Sequence, residues 1–189
     1  MDPVEMTQIG TTGLKVTRLG IGGGAVGRVS TETEAVNTLN KCLELGVRYF
    51  DTAPLYGGGL SEERYGMILP TVSRSTFTIS TKVGRLLEAD PPAPVGAVPG
   101  TGQTNVPFDF TYDSVMRCFE GSLVRLGLDN VDILLIHDPD NHYGQAMDGA
   151  YKALSELRSQ GLVGAIGAGM NQWEMEAQLA REGDFDCFL

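Results

Sequence analysis

Residues 131–166 have the sequence VDILLIHDPDNHYGQAMDGAYKALSELRSQGLVGAI, which contains the clearest strand–helix–strand pattern of the chain. It opens with an apolar run, Val131–Ile136, that a single acidic residue interrupts, as is typical of a strand buried on both faces. A helical segment, Ala150–Gln160, follows and is ended by Gly161. The next apolar run, Leu162–Ile166, comes directly afterwards. A strand, a helix and a strand in this order predict parallel pairing, with the helix packed outside the sheet.

The same alternation extends toward both ends of the chain. Thr31 and Glu34 form a capping-box pattern at the start of one helix, and Gly46 is placed to end it. A hairpin with a Thr-Gly turn is predicted before the repeats, over Gln8–Val16. Further strands are predicted at Leu19–Gly22, Val47–Phe50, Phe77–Thr81 and Phe185–Leu189, and further helices from Ser61, over 115–126 and over 172–181.

About five βα units and a sixth strand indicate an α/β fold with a parallel sheet. Periodicity alone leaves two architectures open, a doubly wound sheet and a (β/α)8 barrel. A complete barrel has eight strands, whereas this chain stops inside the apolar run Cys187–Leu189. If the fold is a barrel, we expect residues 1–189 to be a single partial domain, a fragment that lacks about two βα units.

The composition argues against several classes of protein. The 189 residues include 14 Lys and Arg against 24 Asp and Glu, so the net charge is −10 and no nucleic-acid or anionic membrane surface is expected. No apolar run of about 18 residues could span a membrane, and the N-terminus lacks a secretory signal pattern. Cys42, Cys118 and Cys187 lie far apart, which is typical of reduced thiols in a cytoplasmic protein. The Pro- and Gly-rich stretch Pro91–Pro107 predicts a long loop.

Ionisable side chains follow three consecutive predicted strands. Asp51 follows the second strand, Lys82 the third and His137 the fourth, while Tyr56 lies in a Gly-rich loop just after Asp51. Because the carboxyl ends of parallel strands meet at one edge of a sheet, we expect these four side chains to lie close together. No group of residues has the spacing of metal ligands.

These four residues suit proton transfer to a carbonyl group. A phenol is a poor proton donor near neutral pH, and an ammonium such as Lys82 beside Tyr56 would stabilise its phenolate. Asp51 could hold Lys82 charged, and His137 could hydrogen-bond a substrate oxygen on which negative charge develops. Tyr56 would then be the general acid for carbonyl reduction, or the base for alcohol oxidation. The set lacks an electron source, so a hydride donor such as a nicotinamide would have to lie beside it.

Three glycines spaced as G-x-G-x-x-G, within Gly22–Gly27, match the dinucleotide-binding fingerprint, and Asp51 lies about where the ribose-binding acid would be. That fingerprint opens a helix at its last glycine, whereas the helical pattern here begins near Thr31. The alternative is that these glycines let the backbone approach another backbone or a ligand.

Four residues near the predicted site have plainer interpretations. Asp138 and Asp140 flank a proline and are expected to form a turn, with binding of sugar hydroxyls as the alternative. His142 is expected to be an exposed loop residue. Trp173 could either shield a cofactor or pack against the fold.

The four candidate residues, in this order and context, resemble the aldo-keto reductase family. The resemblance runs from about Gln8 to the last residue. It is carried by LGIGGG (19–24), YFDTAPLYGGGLSEERYG (49–66), STKVGR (80–85), SLVRLGLDNVDILLIHDPD (122–140) and GAIGAGMNQ (164–172).

This resemblance implies an incomplete (β/α)8 barrel and reversible hydride transfer between NADP or NAD and a carbonyl compound, an aldose or an alcohol. It implies that Asp51, Tyr56, Lys82 and His137 are the catalytic residues. It also places the backbone of Gly22 and Gly23, together with Asp51 and Asn171, near the nicotinamide.

The phrase IHDPD and the long loop after the third strand look like the aldose dehydrogenase branch, to which pyridoxal dehydrogenase is a near relative. Met170 departs from the family pattern, which has Ser at that position. Residues that grip the cofactor's phosphates come, in the family, from strands that this chain lacks. The alternative hypothesis is therefore a catalytically incompetent fragment or an interaction protein.

Overall fold

The computed structural model describes residues 2–28, 31–87 and 106–189. Its main feature is a six-stranded parallel sheet in which every strand pairs with its neighbours in chain order. A separate antiparallel hairpin, β1 (Met6–Gln8) and β2 (Lys15–Thr17), precedes the sheet, as predicted. The sheet strands are β3 (Gly20–Gly22), β4 (Tyr49–Asp51), β5 (Thr78–Val83), β6 (Val131–His137), β7 (Val163–Gly169) and β8 (Cys187–Phe188).

Helices alternate with the sheet strands. Two short 3₁₀ turns, Leu69–Thr71 and Arg74–Thr76, precede β5. The helices are α1 (Gly23–Arg28), α2 (Glu32–Glu44), α3 (Leu60–Gly66), α4 (Tyr112–Leu126), α5 (Tyr143–Gln145), a π-helical turn (Ala146–Ala150), α6 (Tyr151–Ser159) and α7 (Trp173–Glu182).

The strand order decides between the two architectures that the sequence leaves open. A doubly wound sheet reverses its strand order at a switch point, whereas β3 to β8 follow one another without reversal. Sequential parallel strands with helices outside them are the arrangement of a (β/α)8 barrel. The prediction of an incomplete barrel with an N-terminal hairpin is therefore confirmed.

The central strands are buried on both faces, because helices pack against one face and Ile133, Leu135 and Ala165 pack with Ile9 and Leu14 at the other. Every residue of β5 is buried, and so is every residue of β6 except Asp132. The Asp132 carboxylate is half-buried at the start of the strand, where it accepts a hydrogen bond from the backbone N–H of Ile79 at 2.8 Å and pairs with Arg74 at 2.8 Å. Asp132, the single acidic residue in the apolar run, thus provides a hydrogen-bond acceptor for a backbone N–H of β5.

The capping box at the start of α2 is present. The backbone N–H of Glu34 donates to the Thr31 hydroxyl at 3.3 Å, and the Glu34 carboxylate accepts from the Thr31 N–H at 2.8 Å. These two bonds satisfy backbone donors that a helix start otherwise leaves unpaired.

The sequence prediction was wrong about the segment after β3, where α1 begins at once. Glycine has a low helix propensity and the glycine-rich α1 shows no apolar periodicity. The sequence pattern therefore predicted only α2, the helix after it. Tertiary contacts hold α1 in place: the Ser61 hydroxyl donates to the Gly23 carbonyl at 3.0 Å, and Arg64 donates to the Val26 carbonyl. The helix predicted from Ala150 likewise has helical turns before it, from Tyr143.

The structure also bears on the cysteines, on the predicted loop and on membrane-spanning helices. No disulfide joins the three cysteines, all of which the structure describes; Cys118 is fully buried and Cys42 is half-buried against the core. Most of the loop predicted over 91–107 lies outside the described residues. Within the described ranges, no helix is both long and apolar enough to cross a bilayer.

Candidate active site

The four predicted catalytic residues converge at the carboxyl edge of the sheet. Asp51 ends β4, Lys82 lies in β5 and His137 ends β6. Tyr56 joins them from the loop between β4 and α3. A cavity of about 240 Å³ opens there, lined by Tyr56, Lys82, His137, Asp138, Gly169, Met170, Asn171 and Leu189.

Lys82 and Asp51 form a buried ion pair beneath this cavity. The Lys82 Nζ lies 2.9 and 2.8 Å from the two carboxylate oxygens of Asp51 and donates to the Thr52 carbonyl at 2.9 Å. The Ser80 hydroxyl donates to the same carboxylate at 2.7 Å. These contacts hold the Lys82 side chain in place at the wall of the cavity.

Tyr56 lies among cationic and aromatic groups. The Lys82 Nζ is 4.9 Å from the centroid of the Tyr56 ring. The guanidinium of Arg28, the last residue of α1, is 5.9 Å from the same centroid. The His137 ring meets the Tyr56 ring edge-on, with 5.8 Å between centroids. The Tyr56 ring therefore lies close to two positively charged side chains.

Close backbone packing holds the Tyr56 loop. A Cβ at Gly27 would lie 2.5 Å from the Tyr56 carbonyl oxygen, and one at Gly57 would lie 2.2 Å from the Gly27 carbonyl oxygen. Gly57 also has a φ of 71°, in the region that favours glycine. Gly27, the last glycine of the fingerprint, therefore allows two segments of the backbone to pack closely against each other.

His137 is buried and neutral. Its exposure is 5%, and burial, followed by the positive charges of Lys82 and Arg85, lowers its pKa from 6.5 to about 3. Its Nδ1 has no hydrogen-bond partner among the described residues, and its Nε2 lies 3.7 Å from an Asp138 oxygen, beyond hydrogen-bond length. A neutral imidazole can donate a hydrogen bond without carrying charge.

The lowered pKa of His137 predicts a pH-dependent stability. Because the unfolded chain binds a proton near pH 6.5 and the folded chain does not, this group's contribution is present above pH 6.5 and is lost as the pH falls toward 3. Between pH 7 and pH 5 the loss is about 2 kcal/mol. Urea unfolding should show that His137→Gln loses about 2 kcal/mol less than the original chain over this range. Equal losses in the two proteins would contradict a buried neutral imidazole.

A larger cavity, about 610 Å³, lies at the opposite edge of the sheet beneath the hairpin. Its lining includes Arg74, which is paired with Asp132 and donates to the Asn130 side chain at 3.1 Å. The lining of the larger cavity contains no tyrosine or histidine that could exchange a proton with a carbonyl oxygen, so size does not identify the site. Among the described residues, no three His, Cys, Asp or Glu side chains are grouped to hold a metal ion.

The predicted cofactor-side residues fall in two places. Asn171 is exposed and lines the cavity. Gly22 pairs with Asp51 across the sheet and has open space beside its Cα, whereas a Cβ at Gly23 would lie 2.4 Å from the Ser61 hydroxyl. Gly22, Gly23 and Asp51 thus lie together at the ends of β3 and β4, and Asn171 follows β7.

Sequence reasoning missed several contacts around the site. Arg28 was not considered because α1 was not predicted. His142 is half-buried instead of exposed, since its ring packs against Phe108 and Phe110 with centroids 4.7 and 5.5 Å apart. Trp173 is 69% exposed and does not line the cavity.

A buried polar network behind the site was also missed. The fully buried Glu62 carboxylate accepts a hydrogen bond from the Thr81 hydroxyl at 2.6 Å and pairs with Arg125 at 2.7 Å. Thr81 immediately precedes Lys82, and Glu62 lies on the helix that follows the Tyr56 loop. This network links α3, α4 and β5 to one another. No local sequence pattern indicates that these three residues meet.

Comparisons with known proteins agree with this geometry. The aldo/keto reductase family model matches residues 18–187. D-threo-aldose 1-dehydrogenase from a Pseudomonas species is 37% identical, covering 94% of this chain and 57% of the relative. Pyridoxal 4-dehydrogenase from Microbacterium luteolum is also 37% identical, covering 98% of this chain and 61% of the relative. The holo form of aldo-keto reductase AKR11C1 from Bacillus halodurans has a TM-score of 0.82 and 26% identity, over 97% of this chain and 56% of that one.

The family model covers nearly the whole sheet, from the residues before β3 into β8. The chain spans about three fifths of the length of the two curated relatives. The predicted resemblance to aldose and pyridoxal dehydrogenases is confirmed. The chain belongs to the aldo/keto reductase family.

Proposed function

We propose that this chain carries the proton-transfer site of a nicotinamide-dependent oxidoreductase that interconverts a carbonyl group and an alcohol. The observation that carries the proposal is the meeting of Lys82, Tyr56 and His137 around one cavity, with Asp51 holding Lys82 from behind. Any parallel sheet brings the ends of its strands to one edge, but a phenol, an ammonium and an imidazole around one cavity are the particular set of groups that carbonyl chemistry uses.

Tyr56 is the proposed general acid and base. In the oxidising direction its phenolate removes the hydroxyl proton of the substrate, and in the reducing direction its hydroxyl protonates the carbonyl oxygen. The Lys82 ammonium, 4.9 Å from the ring centroid, stabilises the phenolate. Asp51 keeps that ammonium in position through its two short contacts.

His137 is the proposed hydrogen-bond donor to the reacting oxygen. With Nδ1 buried, we assign the proton to Nε2, the nitrogen nearer the Asp138 side of the cavity. Because the imidazole is neutral, it adds a donor without competing with Tyr56 for the proton. Its edge-on packing against Tyr56 brings the two groups to the same substrate atom.

The residues beside the cavity fit a nicotinamide ring of NADP or NAD. Asn171 supplies an amide at the rim, and the space beside Gly22 is open. We assign Gly22, Gly23 and Asn171, together with Asp51, to the cofactor side of the site. When bound, the cofactor accepts or supplies the hydride.

An aldose is the proposed substrate, with small carbonyl compounds as the wider class. The support comes from the 37% identity to D-threo-aldose 1-dehydrogenase.

Turnover by the purified chain tests the proposed function. We expect aldose oxidation to be accompanied by formation of reduced nicotinamide, at a rate that saturates with sugar and is proportional to protein concentration. Nucleotide fluorescence during an NADPH titration measures cofactor binding separately. Neither turnover nor saturable binding would contradict the proposal and support the alternative of an incompetent fragment or an interaction protein.

A further inference from the structure

Asp138 contributes a carboxylate to the cavity that the proposed proton transfer does not use. It directly follows His137 and lines the cavity with Tyr56. Its side chain is 33% exposed, so it is partly withdrawn from water but still accessible to a ligand. A carboxylate in this place can accept hydrogen bonds from a bound molecule.

The backbone holds Asp138 in an uncommon conformation. Its φ is 47°, and it is the one non-glycine residue with a positive φ among the residues that the structure describes. Its N–H donates to the Gly169 carbonyl at 2.9 Å, which ties it to the end of β7. Asp is tolerated in this region better than most residues, so the conformation does not need glycine. The carboxylate is therefore carried on a fixed backbone at the cavity wall.

Within the described part of the chain, no donor hydrogen-bonds to the Asp138 carboxylate. The Nε2 of His137 lies 3.7 Å from this carboxylate, beyond hydrogen-bond length. Burial raises the pKa of the Asp138 carboxyl, the Arg85 and Lys82 charges oppose this, and Asp140 adds to it. Arg85 itself donates to the Val106 carbonyl at 2.7 Å. A partly desolvated carboxylate that lacks a donor binds an incoming hydroxyl more strongly than one that is already satisfied.

We propose that Asp138 binds a hydroxyl group of the substrate beside the reacting carbon and thereby selects polyhydroxylated carbonyl compounds over plain aldehydes. This inference rests on the proposed function and names the residue that sets its substrate class. A ligand without that hydroxyl leaves the carboxylate covered and unpaired, so the site discriminates against it. The same negative charge disfavours substrates that carry a carboxylate or phosphate at this position.

Two substrates that share the ring and the hydroxyl to be oxidised, but differ in all other hydroxyl-bearing groups, test Asp138. Galactose in its ring form and 2-hydroxytetrahydropyran both carry the hydroxyl to be oxidised, but the second has no other. In Asp138→Asn, kcat/KM for galactose should fall about 10- to 100-fold, mainly through KM, because a charge-assisted hydrogen bond is weakened. For 2-hydroxytetrahydropyran it should change less than about 3-fold. Asn is tolerated at positive φ, so the loop is retained.

The controls separate a specific effect from a general one. Asp148→Asn removes the same charge from a side chain that is 85% exposed, and should leave both substrates unaffected. Asp138→Gly suits the positive φ and should reproduce the galactose defect if the side chain is responsible. Equal losses on both substrates, or no loss on galactose, would overturn the proposal.

Binding without turnover distinguishes a failure of this inference from a failure of the proposed function. Saturation-transfer NMR with galactose should show binding to the original chain and about 10-fold weaker binding to Asp138→Asn, even if no oxidation occurs. If both substrates are oxidised and the two proteins bind galactose equally well, Asp138 does not take part in substrate recognition. Absence of galactose binding by the original chain would also overturn it.

Discussion

Tyr56→Phe should lower kcat for aldose oxidation by about 10²- to 10⁴-fold, because it removes the group proposed to move the proton. The aromatic ring remains, so the packing of Lys82 and His137 against it is retained and KM should change little. Steady-state kinetics at saturating cofactor, with formation of reduced nicotinamide as the signal, measure the effect.

The matched control is Tyr112→Phe, which removes a hydroxyl that donates to Glu156 at 2.6 Å at the molecular surface. We expect this variant to keep its kcat within about twofold, since the hydroxyl lies outside the site. If Tyr56→Phe retained more than about a tenth of the original kcat, another group would have to carry the proton.

Arg125→Met should lower the free energy of unfolding by about 3–5 kcal/mol. Glu62 is 0% exposed, and without Arg125 its charge remains inside the protein with one hydrogen bond from Thr81. Urea unfolding followed by circular dichroism measures the loss. Because this is a large part of a typical domain's stability, the variant is examined at low temperature and neutral pH.

Two further variants identify the cause. Lys152→Met removes a cation whose partner, Asp148, is exposed, and should change stability by less than about 1 kcal/mol. Glu62→Gln combined with Arg125→Met removes both charges and should recover much of the loss, since no uncompensated charge stays buried. An Arg125→Met protein as stable as the Lys152→Met protein would argue against a buried ion pair.

Positions of the candidate catalytic residues could be predicted because their spacing follows the strands. Asp51, Lys82 and His137 each come at the end of a predicted strand, and parallel strands place such positions at one edge. Tyr56 lies only five residues beyond Asp51, so its loop could not carry it far. Tyr56, Lys82 and His137 line one cavity and Asp51 is paired with Lys82, in agreement with this expectation. Their catalytic roles stay predictions until the variants are measured.

Contacts between distant segments could not be predicted in the same way. Glu62 and Arg125 are 63 positions apart, and each alone is typical of an exposed helical residue. The packing of Gly27 against the Tyr56 loop depends on two backbones that no sequence pattern links. Asp138 was expected to form a turn, but its place at the cavity wall depends on the hydrogen bond to Gly169 in the next strand.

Local sequence patterns are enough to predict the alternation of strands and helices, the capping box at Thr31 and the strand ends at which ionisable residues lie. These features depend on local periodicity and on hydrogen bonds between residues that are close along the chain. The choice between a doubly wound sheet and a barrel needed the folded structure, because both use the same βα period and differ in which strands are neighbours. The folded structure also decided where α1 forms and how deeply His137 and Glu62 are buried, because burial is set by segments that are remote in sequence.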